Sequence, residues 1–238
     1  MMEDEDMLTM IQTPTARRPL LGLTILVVED SRYACETMRL MCLRSGARIR
    51  RADSLRSARR HLKVYRPSAV IVDVGLPDGS GLELIQDMAQ ASPRVNAILG
   101  ISGDPEMEQR ARDAGADSFI AKPFSSLAEF QQAIISVLPM QRPTGPRALS
   151  NDDVNPDQMA YSDDISHAAS LLDEHPEGPM LDYITQFVGG VARSAKDDAL
   201  VAAADRLADA RTKGQTPPEA VKALLDMLQN RLESKIAI

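Results

Sequence analysis

Acidic side chains follow two of the short apolar stretches in the first half of this 238-residue chain. The stretch "ILVVEDS", residues 25–31, contains the adjacent acids Glu29 and Asp30, and Asp73 follows "AVIV". Two carboxylates about 4 Å apart repel each other by roughly 4 kcal/mol at an effective dielectric near 20, so a close cluster of three acids indicates a bound cation. Carboxylate oxygens are ligands that Mg²⁺ prefers. The pattern therefore predicts a magnesium site.

Two further polar residues, also at the ends of apolar stretches, suggest what such a metal would do. Ser102 offers a hydroxyl group and Lys122 offers a positive charge. Together with Mg²⁺ they could contact the three oxygens of a phosphoryl group carried by Asp73. Phosphoryl transfer depends mainly on positioning and charge neutralisation, which these groups supply. We therefore expect an aspartate that becomes phosphorylated.

A framework of alternating strands and helices would bring these residues together. Between about 20 and 138, apolar runs alternate with amphipathic stretches, a pattern typical of a parallel sheet covered on both faces. The functional crevice of such a sheet lies at the carboxyl ends of its strands. The predicted strands are 23–28, 47–52, 68–74, 96–102 and 117–121, and the predicted helices are 32–45, 54–65, 80–91, 105–114 and 125–138.

Residues 22 to about 138 resemble the receiver domain of two-component response regulators, which has the CheY-like fold. The motifs are "VVEDS", "VIVDVGLPDGSGLELI", "ILGISGD" and "AGADSFIAKPF". Their spacing is 43 residues from Asp30 to Asp73, 29 on to Ser102 and 20 on to Lys122. The resemblance implies an α/β fold, a five-stranded, doubly wound parallel sheet of the flavodoxin-like type with strand order 2-1-3-4-5. An all-α tail follows it in this chain.

The resemblance also implies how the acids act. Asp73 would accept a phosphoryl group from a sensor histidine kinase or a phosphotransfer protein. Asp30, Asp73 and the Gly75 carbonyl would bind Mg²⁺, with Glu29 acting through water. Such a protein is a phosphoacceptor with at most slow self-dephosphorylation, so we do not expect an enzyme.

The remaining site residues are assigned in the same way. Ser102 and Lys122 would contact the phosphoryl group, and the peptide bond before Pro123 would be cis. Phe119 falls at the aromatic switch position, where the ring turns inward as Ser102 shifts toward the phosphate. An ordinary core aromatic is the alternative interpretation of Phe119.

A phosphatase of the haloacid dehalogenase type also uses an aspartate nucleophile and Mg²⁺. That class requires a second acid two residues after the nucleophile. Position 75 is glycine here, and the acid pair lies upstream of Asp73. The sequence therefore favours the receiver interpretation.

The chain divides into four segments by composition. We predict a flexible acidic extension over residues 1–20, the receiver domain over 21–139, a linker over 140–161 and a helical interaction or dimerisation region over 162–238. Proline, asparagine, aspartate and serine are enriched in the predicted linker, as is typical of such segments.

Four amphipathic patterns follow the linker, each with one apolar stripe. Ser162 is the predicted cap of the first helix, and "TPPE", residues 216–219, is a predicted capping box for the fourth. The fourth helix carries Leu224, Leu228 and Leu232 on one face. Because a unit of about 75 residues has a thin core, we expect these stripes to pack against a partner.

Charge bears on the identity of that partner. Residues 1–139 have a net charge of −1 and residues 140–238 a net charge of −6. Nucleic-acid binding requires the opposite sign, because phosphate neutralisation supplies most of the affinity. We therefore expect a homodimer or a protein target, and no nucleic acid. The alternative is a transcriptional response regulator with an atypical DNA-binding output.

Other features have ordinary interpretations beside functional ones. His167 and His175 could be phosphotransfer histidines, but an exposed helical histidine is the simpler interpretation. The basic run 48–66 could dock an acidic segment, including the chain's own tail, although a solvated helix face explains it as well. Cys35 and Cys42 lie on one predicted helix face about 10 Å apart, too far for a disulfide, so we expect core residues.

The N-terminal sequence has acids where a secretory signal requires positive charge. No apolar run reaches the roughly 18 residues needed to span a bilayer. We therefore expect a cytoplasmic protein that does not contact the membrane.

Overall fold

The computed structural model describes residues 14–124, 126–138 and 157–234. The first part of the chain contains a mixed α/β unit, and residues 157–234 contain four helices with a separate hydrophobic core. The two units touch each other, because the first two helices of the second unit pack against the first helix of the α/β unit.

Five strands form one fully parallel sheet, and two very short strands form a separate antiparallel hairpin. The five strands are β1 (Thr24–Val28), β2 (Arg48–Ala52), β3 (Ala69–Asp73), β6 (Ile98–Ser102) and β7 (Ser118–Ala121), and the hairpin strands are β4 (Gly75–Leu76) and β5 (Gly79–Ser80). The sheet order is β2-β1-β3-β6-β7. Counting the five main strands alone, this is the predicted order 2-1-3-4-5, so the fold prediction is confirmed.

Helices cover both faces of this sheet. They are α1 (Arg32–Ser45), α2 (Leu55–Val64), α3 (Gly81–Gln90), α4 (Met107–Asp113) and α5 (Leu127–Ile135). Successive residues of a strand point to opposite faces. Accordingly Ile25 and Val27 lie in one core with α1 and α5, whereas Leu26 and Val28 lie in the other with α2, α3 and α4. The predicted elements are confirmed, with ends that differ by up to three residues.

The predicted boundary at residue 21 lies slightly too far along the chain. Leu20 is fully buried in the core beneath α1, and its N–H donates to the Ser45 carbonyl at 2.9 Å. The predicted N-terminal extension falls largely on residues 1–13, outside the described residues.

The second unit consists of α6 (Gln158–Glu174), α7 (Pro179–Ala195), α8 (Asp198–Thr212) and α9 (Pro218–Glu233). The prediction that Ser162 caps the first helix is wrong. Asp157 is the cap, and its side chain accepts the Met159 N–H at 3.0 Å. The predicted linker 140–161 therefore ends earlier than expected, and its first part, 140–156, lies outside the described residues.

Helix α9 differs from its prediction in two ways. No side chain caps its N-terminus, so the predicted capping box is wrong; Thr216 instead accepts a hydrogen bond from Arg211 Nη1 at 2.6 Å. Leu224 and Leu228 are fully buried in the core of the helical unit, and Leu232 is half-buried against it. The apolar stripe is therefore buried mainly inside the unit, and its burial does not require an outside partner.

Asp197 joins three helices of this unit. It caps α8 by accepting the Leu200 N–H at 3.2 Å, accepts the Tyr161 hydroxyl at 3.0 Å and pairs with Arg231 at 2.8 Å. Arg231 holds the pKa of this carboxyl below its ordinary value.

Asp197→Ala is expected to lower the free energy of unfolding by about 2–4 kcal/mol near neutral pH, because it removes a cap and charge-assisted hydrogen bonds. The folded-state pKa is depressed, so this contribution is present above the ordinary pKa of the acid and is lost as pH falls through the depressed value. Urea unfolding as a function of pH measures it. The exposed neighbour Asp198 provides the control, because Asp198→Ala should change stability by less than about 0.5 kcal/mol.

Cys35 and Cys42 are buried on α1, as predicted for core residues, and burial raises the pKa of both thiols to about 12. Across residues 14–124, 126–138 and 157–234, none of the helices has the length and apolar character needed to cross a membrane.

Candidate functional site

Three acids meet at the carboxyl ends of two adjacent strands. Glu29 and Asp30 follow β1, and Asp73 is the last residue of β3. One carboxylate oxygen from each lies within 4.8 Å of the others. Glu29 and Asp73 are buried and Asp30 is half-buried. The structure therefore brings together the three acids that the sequence pattern selected.

Lys122 lies between two of these acids. Its Nζ is 2.6 Å from Glu29 Oε2 and 2.8 Å from Asp73 Oδ2. Burial alone would lower the pKa of Lys122, but the adjacent carboxylates of Asp73 and Glu29 raise it above its ordinary value. The side chain is therefore a permanent cation in a nearly dry environment, where a charge interacts strongly with its partners.

One lysine does not neutralise three acids. Burial raises the pKa of Glu29 well above its ordinary value, and the nearby acids Asp73 and Asp30 add to this against the opposing effect of Lys122. Burial, followed by the charge of Asp73, raises the pKa of Asp30 to about 6. The donor set consists of carboxylate oxygens and has surplus negative charge, which fits a hard divalent cation. The cluster can therefore hold a metal.

Asp30→Asn should stabilise the protein when no metal is present. The folded-state pKa of Asp30 is raised to about 6, so the folded protein binds more protons than the unfolded chain between about pH 4 and pH 6, and stability falls as pH rises through that window. Removing the charge should raise the unfolding free energy by about 1–3 kcal/mol at pH 7 in EDTA. Thermal unfolding in EDTA measures the change, with the exposed Asp53→Asn as control. An unchanged or lower melting temperature would mean that the charge of Asp30 does not destabilise the folded protein.

Backbone geometry fixes the position of Asp73. Helix α3 begins directly against β3, and a Cβ at Gly81 would lie 1.9 Å from the Asp73 carbonyl oxygen, so only glycine fits there. The Gly75 N–H donates to Asp73 Oδ1 at 3.3 Å. Ser102 ends β6, is buried, and its Oγ accepts the Asp104 N–H at 3.1 Å. The Lys122–Pro123 bond is cis, as the resemblance implied.

A cavity of about 770 Å³ opens onto these groups. It is lined by most of the residues selected from the sequence: Glu29, Asp30, Asp73, Gly75, Ser102 and Lys122. Phe119 does not line it; the ring is half-buried on β7 and packs into the core beside Gly100. His167 and His175 are exposed and do not line the cavity either.

Helix α7 of the second unit closes one side of this cavity, which the sequence did not indicate. The Tyr183 hydroxyl donates to Asp30 Oδ2. The Gln186 amide occupies the space beside Gly75, because a Cβ at that glycine would lie 2.9 Å from Gln186 Nε2. The amphipathic pattern of this helix could not identify these residues, since polar residues on such a helix normally face water.

Helix α6 is anchored at the start of α1. Asp164 accepts hydrogen bonds from Ser31 Oγ at 2.7 Å, the Arg32 N–H at 2.9 Å and the Tyr33 N–H at 3.0 Å. Its side chain is only 2% exposed, and the adjacent Asp163 pairs with Arg32 at 2.6 Å. A carboxylate at this position satisfies the free N–H groups of a helix N-terminus. The main contacts of the described helical unit with the α/β unit are made to α1 and β4, and not to β2 or α2, which lie within the basic run 48–66.

Comparison with known proteins covers part of the chain. The family model for the response regulator receiver domain matches residues 25–135. The chain is 33% identical over 100 residues to the KDP operon transcriptional regulatory protein KdpE of Escherichia coli (strain K12), which is 42% of this chain and 44% of that protein. It is 29% identical over 101 residues to the virulence transcriptional regulatory protein PhoP of Salmonella typhimurium (strain 14028s / SGSC 2262), 42% of this chain and 45% of that protein. The chain thus spans about half the length of these relatives.

Two solved structures each resemble about half of the chain. Chemotaxis protein CheY4 of Vibrio cholerae is 24% identical, with a TM-score of 0.45, over 49% of this chain and 98% of that one. The receiver domain of the sensor histidine kinase PA1611 from Pseudomonas aeruginosa PAO1, described with a magnesium ion coordinated in its active site cleft, is 24% identical, with a TM-score of 0.44, over 49% of this chain and 97% of that one. The family match ends at residue 135, before the helical unit.

Proposed function

We propose, from the premise that residues 25–135 form a receiver domain of the response regulator family, that this protein is a two-component response regulator phosphorylated on Asp73. The donor would be a sensor histidine kinase or a phosphotransfer protein. The observation that carries the proposal is the buried Lys122 ammonium between Glu29 and Asp73, beside the half-buried Asp30.

Asp73 would act as the nucleophile. Lys122 holds its Oδ2 at 2.8 Å, whereas Oδ1 accepts the longer Gly75 N–H bond at 3.3 Å and is the less engaged oxygen with respect to the described residues. In the transfer step an Asp73 oxygen forms a bond to phosphorus, the phosphorus–nitrogen bond of phosphohistidine breaks, and the nitrogen keeps the electron pair and is protonated. Asp30, Asp73 and the Gly75 carbonyl would hold Mg²⁺, with Glu29 through water. The ion would neutralise charge on the phosphoryl oxygens.

Two residues would respond to the phosphoryl group. Ser102 Oγ accepts the Asp104 N–H, so its own proton remains free to be donated to a phosphoryl oxygen. Phe119 lies on the neighbouring strand β7, where Gly100 pairs with it. A shift of Ser102 toward the phosphate would therefore change the surroundings of the Phe119 ring. Phe119 is the proposed switch residue. The protein would not act as an enzyme beyond slow self-dephosphorylation.

The test is direct phosphorylation of the full chain. With acetyl phosphate and Mg²⁺, peptide mass spectrometry should locate the phosphoryl group on Asp73, and EDTA should prevent the modification. Modification at another residue, or modification that is equal in EDTA, would contradict the proposal.

The output of the helical unit has two candidates. Its negative charge favours a protein target or a second copy of the chain over DNA. The names of the relatives favour the alternative, a transcriptional regulator with an atypical DNA-binding output. The aligned portions cover less than half of those two proteins, so the support from their names is weaker than a match over their full length would give.

Mobility shift of DNA fragments by the full chain at about 150 mM salt, with and without beryllofluoride and Mg²⁺, separates the two candidates. Specific retardation would favour the regulator that binds DNA, because non-specific phosphate contacts weaken strongly as salt rises. A change in mass by light scattering without retardation would favour protein association.

A further inference from the structure

The helical unit contributes side chains to the proposed phosphoacceptor site. Tyr183, Gln186 and Arg193 lie three and seven residues apart along α7, on the face directed at the cavity. Tyr183 donates to Asp30 Oδ2, and Gln186 lies against Gly75. Arg193 pairs with Asp205, and its Nη1 would be 3.8 Å from a Cβ at Gly103.

The position of Tyr183 is fixed by contacts away from the acids. Asp164 on α6 binds the first turn of α1, and the rings of Tyr33 and Tyr161 meet edge to face with centroids 6.0 Å apart across the same interface. Tyr183 itself is packed beside Phe187, with ring centroids 6.0 Å apart. The hydroxyl is therefore presented to Asp30 by a docked unit with its own core.

A hydrogen bond on one oxygen of a carboxylate leaves the other oxygen for a cation and fixes its direction. Residues that hold metal ligands in this way typically change metal affinity by 10–100-fold when they are removed. Tyr183 occupies Oδ2 of Asp30, and the cavity of about 770 Å³ provides open space beside Glu29, Asp30 and Asp73. The hydroxyl supports the acid without filling the site.

We propose that Tyr183 is a positioning residue for the cation ligand Asp30, and that docking of the helical unit and cation binding at the acids are therefore coupled. This inference rests on the proposed function for the presence of the cation site. Coupling of this kind is reciprocal, so a bound cation should in turn hold the helical unit in place.

The first test is calorimetric titration of the full chain with Mg²⁺ alone, after removal of metal. Tyr183→Phe removes only the hydroxyl and should weaken Mg²⁺ binding by about tenfold or more. Tyr65→Phe is the matched control: it removes a tyrosine hydroxyl from the residue that follows α2, which does not line the cavity. The control should bind Mg²⁺ like the wild type.

A second variant tests the role of docking. Asp164→Ala removes the anchor on α1 and should weaken Mg²⁺ binding as well, although Asp164 is not one of the three clustered acids. If Tyr183 acts only when the unit is docked, the double variant should be no weaker than the weaker single variant. In the wild type, Mg²⁺ should slow amide hydrogen exchange in α7. If Tyr183→Phe does not fold, the Asp164→Ala titration and the hydrogen-exchange measurement still test whether docking of the helical unit and Mg²⁺ binding are coupled.

The outcomes separate the inference from the function on which it rests. If the wild type binds Mg²⁺ and Asp30→Asn abolishes this, but Tyr183→Phe binds equally or more tightly, the positioning role is wrong and the phosphoacceptor proposal stands. Fully additive losses in the double variant would also overturn the coupling. A wild type that binds no Mg²⁺ would overturn both.

Discussion

Asp73→Asn is expected to abolish phosphoryl incorporation from acetyl phosphate, leaving no modification above that of a sample without donor. The asparagine amide lacks the anionic oxygen that attacks phosphorus, and no neighbouring group has the same position. Glu29 is 1% exposed and directs one oxygen to Lys122, and Asp30 accepts the Tyr183 hydroxyl. Neither acid is placed to substitute for the acceptor. Intact-mass spectrometry after incubation with donor and Mg²⁺ measures the effect.

The matched control is Asp87→Asn on α3. Asp87 is 61% exposed and makes a surface pair with Arg59 at 3.1 Å, so its replacement should leave incorporation unchanged. Incorporation that persists at the wild-type level in Asp73→Asn would place the acceptor elsewhere and end the receiver interpretation of this site. Circular dichroism establishes that both variants are folded.

Leu228→Ala is expected to cost the helical unit about 2–5 kcal/mol of unfolding free energy, because a fully buried leucine leaves a cavity among tightly packed neighbours. Leu228 lies in the core formed by α6, α7, α8 and α9. Urea unfolding followed by circular dichroism measures the loss.

Gln229→Ala is the control for this prediction, since Gln229 is exposed on the same helix turn and should change stability by less than about 0.5 kcal/mol. Light scattering on the same samples tests whether Leu228 instead lies at an interface between two molecules. If Leu228→Ala dissociated an oligomer while its unfolding free energy stayed unchanged, the leucine would belong to a seam between molecules and not to the core of one.

Much of the receiver fold could be predicted because its signals are local. The apolar runs that form β1, β3 and β6 are almost entirely buried, and each ends at or directly before a polar residue of the site. The carboxyl ends of parallel strands share one edge of a sheet, so Asp73, Ser102 and Lys122 had to lie close together once the topology was known. The types of these residues then indicated the metal and phosphoryl chemistry.

The helical unit was harder to predict because an apolar stripe can pack either inside the same chain or against another molecule. Leu224 and Leu228 have the spacing of a helix face that packs against something, but periodicity does not distinguish a neighbouring helix of the same chain from a second molecule. The start of α6 was misplaced for a related reason. Ser162 and Asp157 are both good caps by residue type, and the apolar pattern is too weak at that end to choose between them.

The contacts between the two units could not be read from the sequence at all. Asp164 lies 133 residues beyond Ser31, and Tyr183 lies 153 residues beyond Asp30. Asp164 follows another acid in a helix and reads as part of a solvated surface, yet it is buried against α1. Such pairings depend on how two completed units fit together, which local propensity does not encode.

The anchoring of α1 by Asp164 also has a consequence for the order of events during synthesis. Units generally fold as they emerge, N-terminal first, at about 5–20 residues per second. The chain from the end of α5 to the end of α9 then takes on the order of 5–20 s to follow. During this interval a nascent receiver would present Asp30 without Tyr183, and the first turn of α1 without Asp164. The cluster of Glu29, Asp30 and Asp73 would therefore be more open in the ribosome-bound chain than in the finished protein.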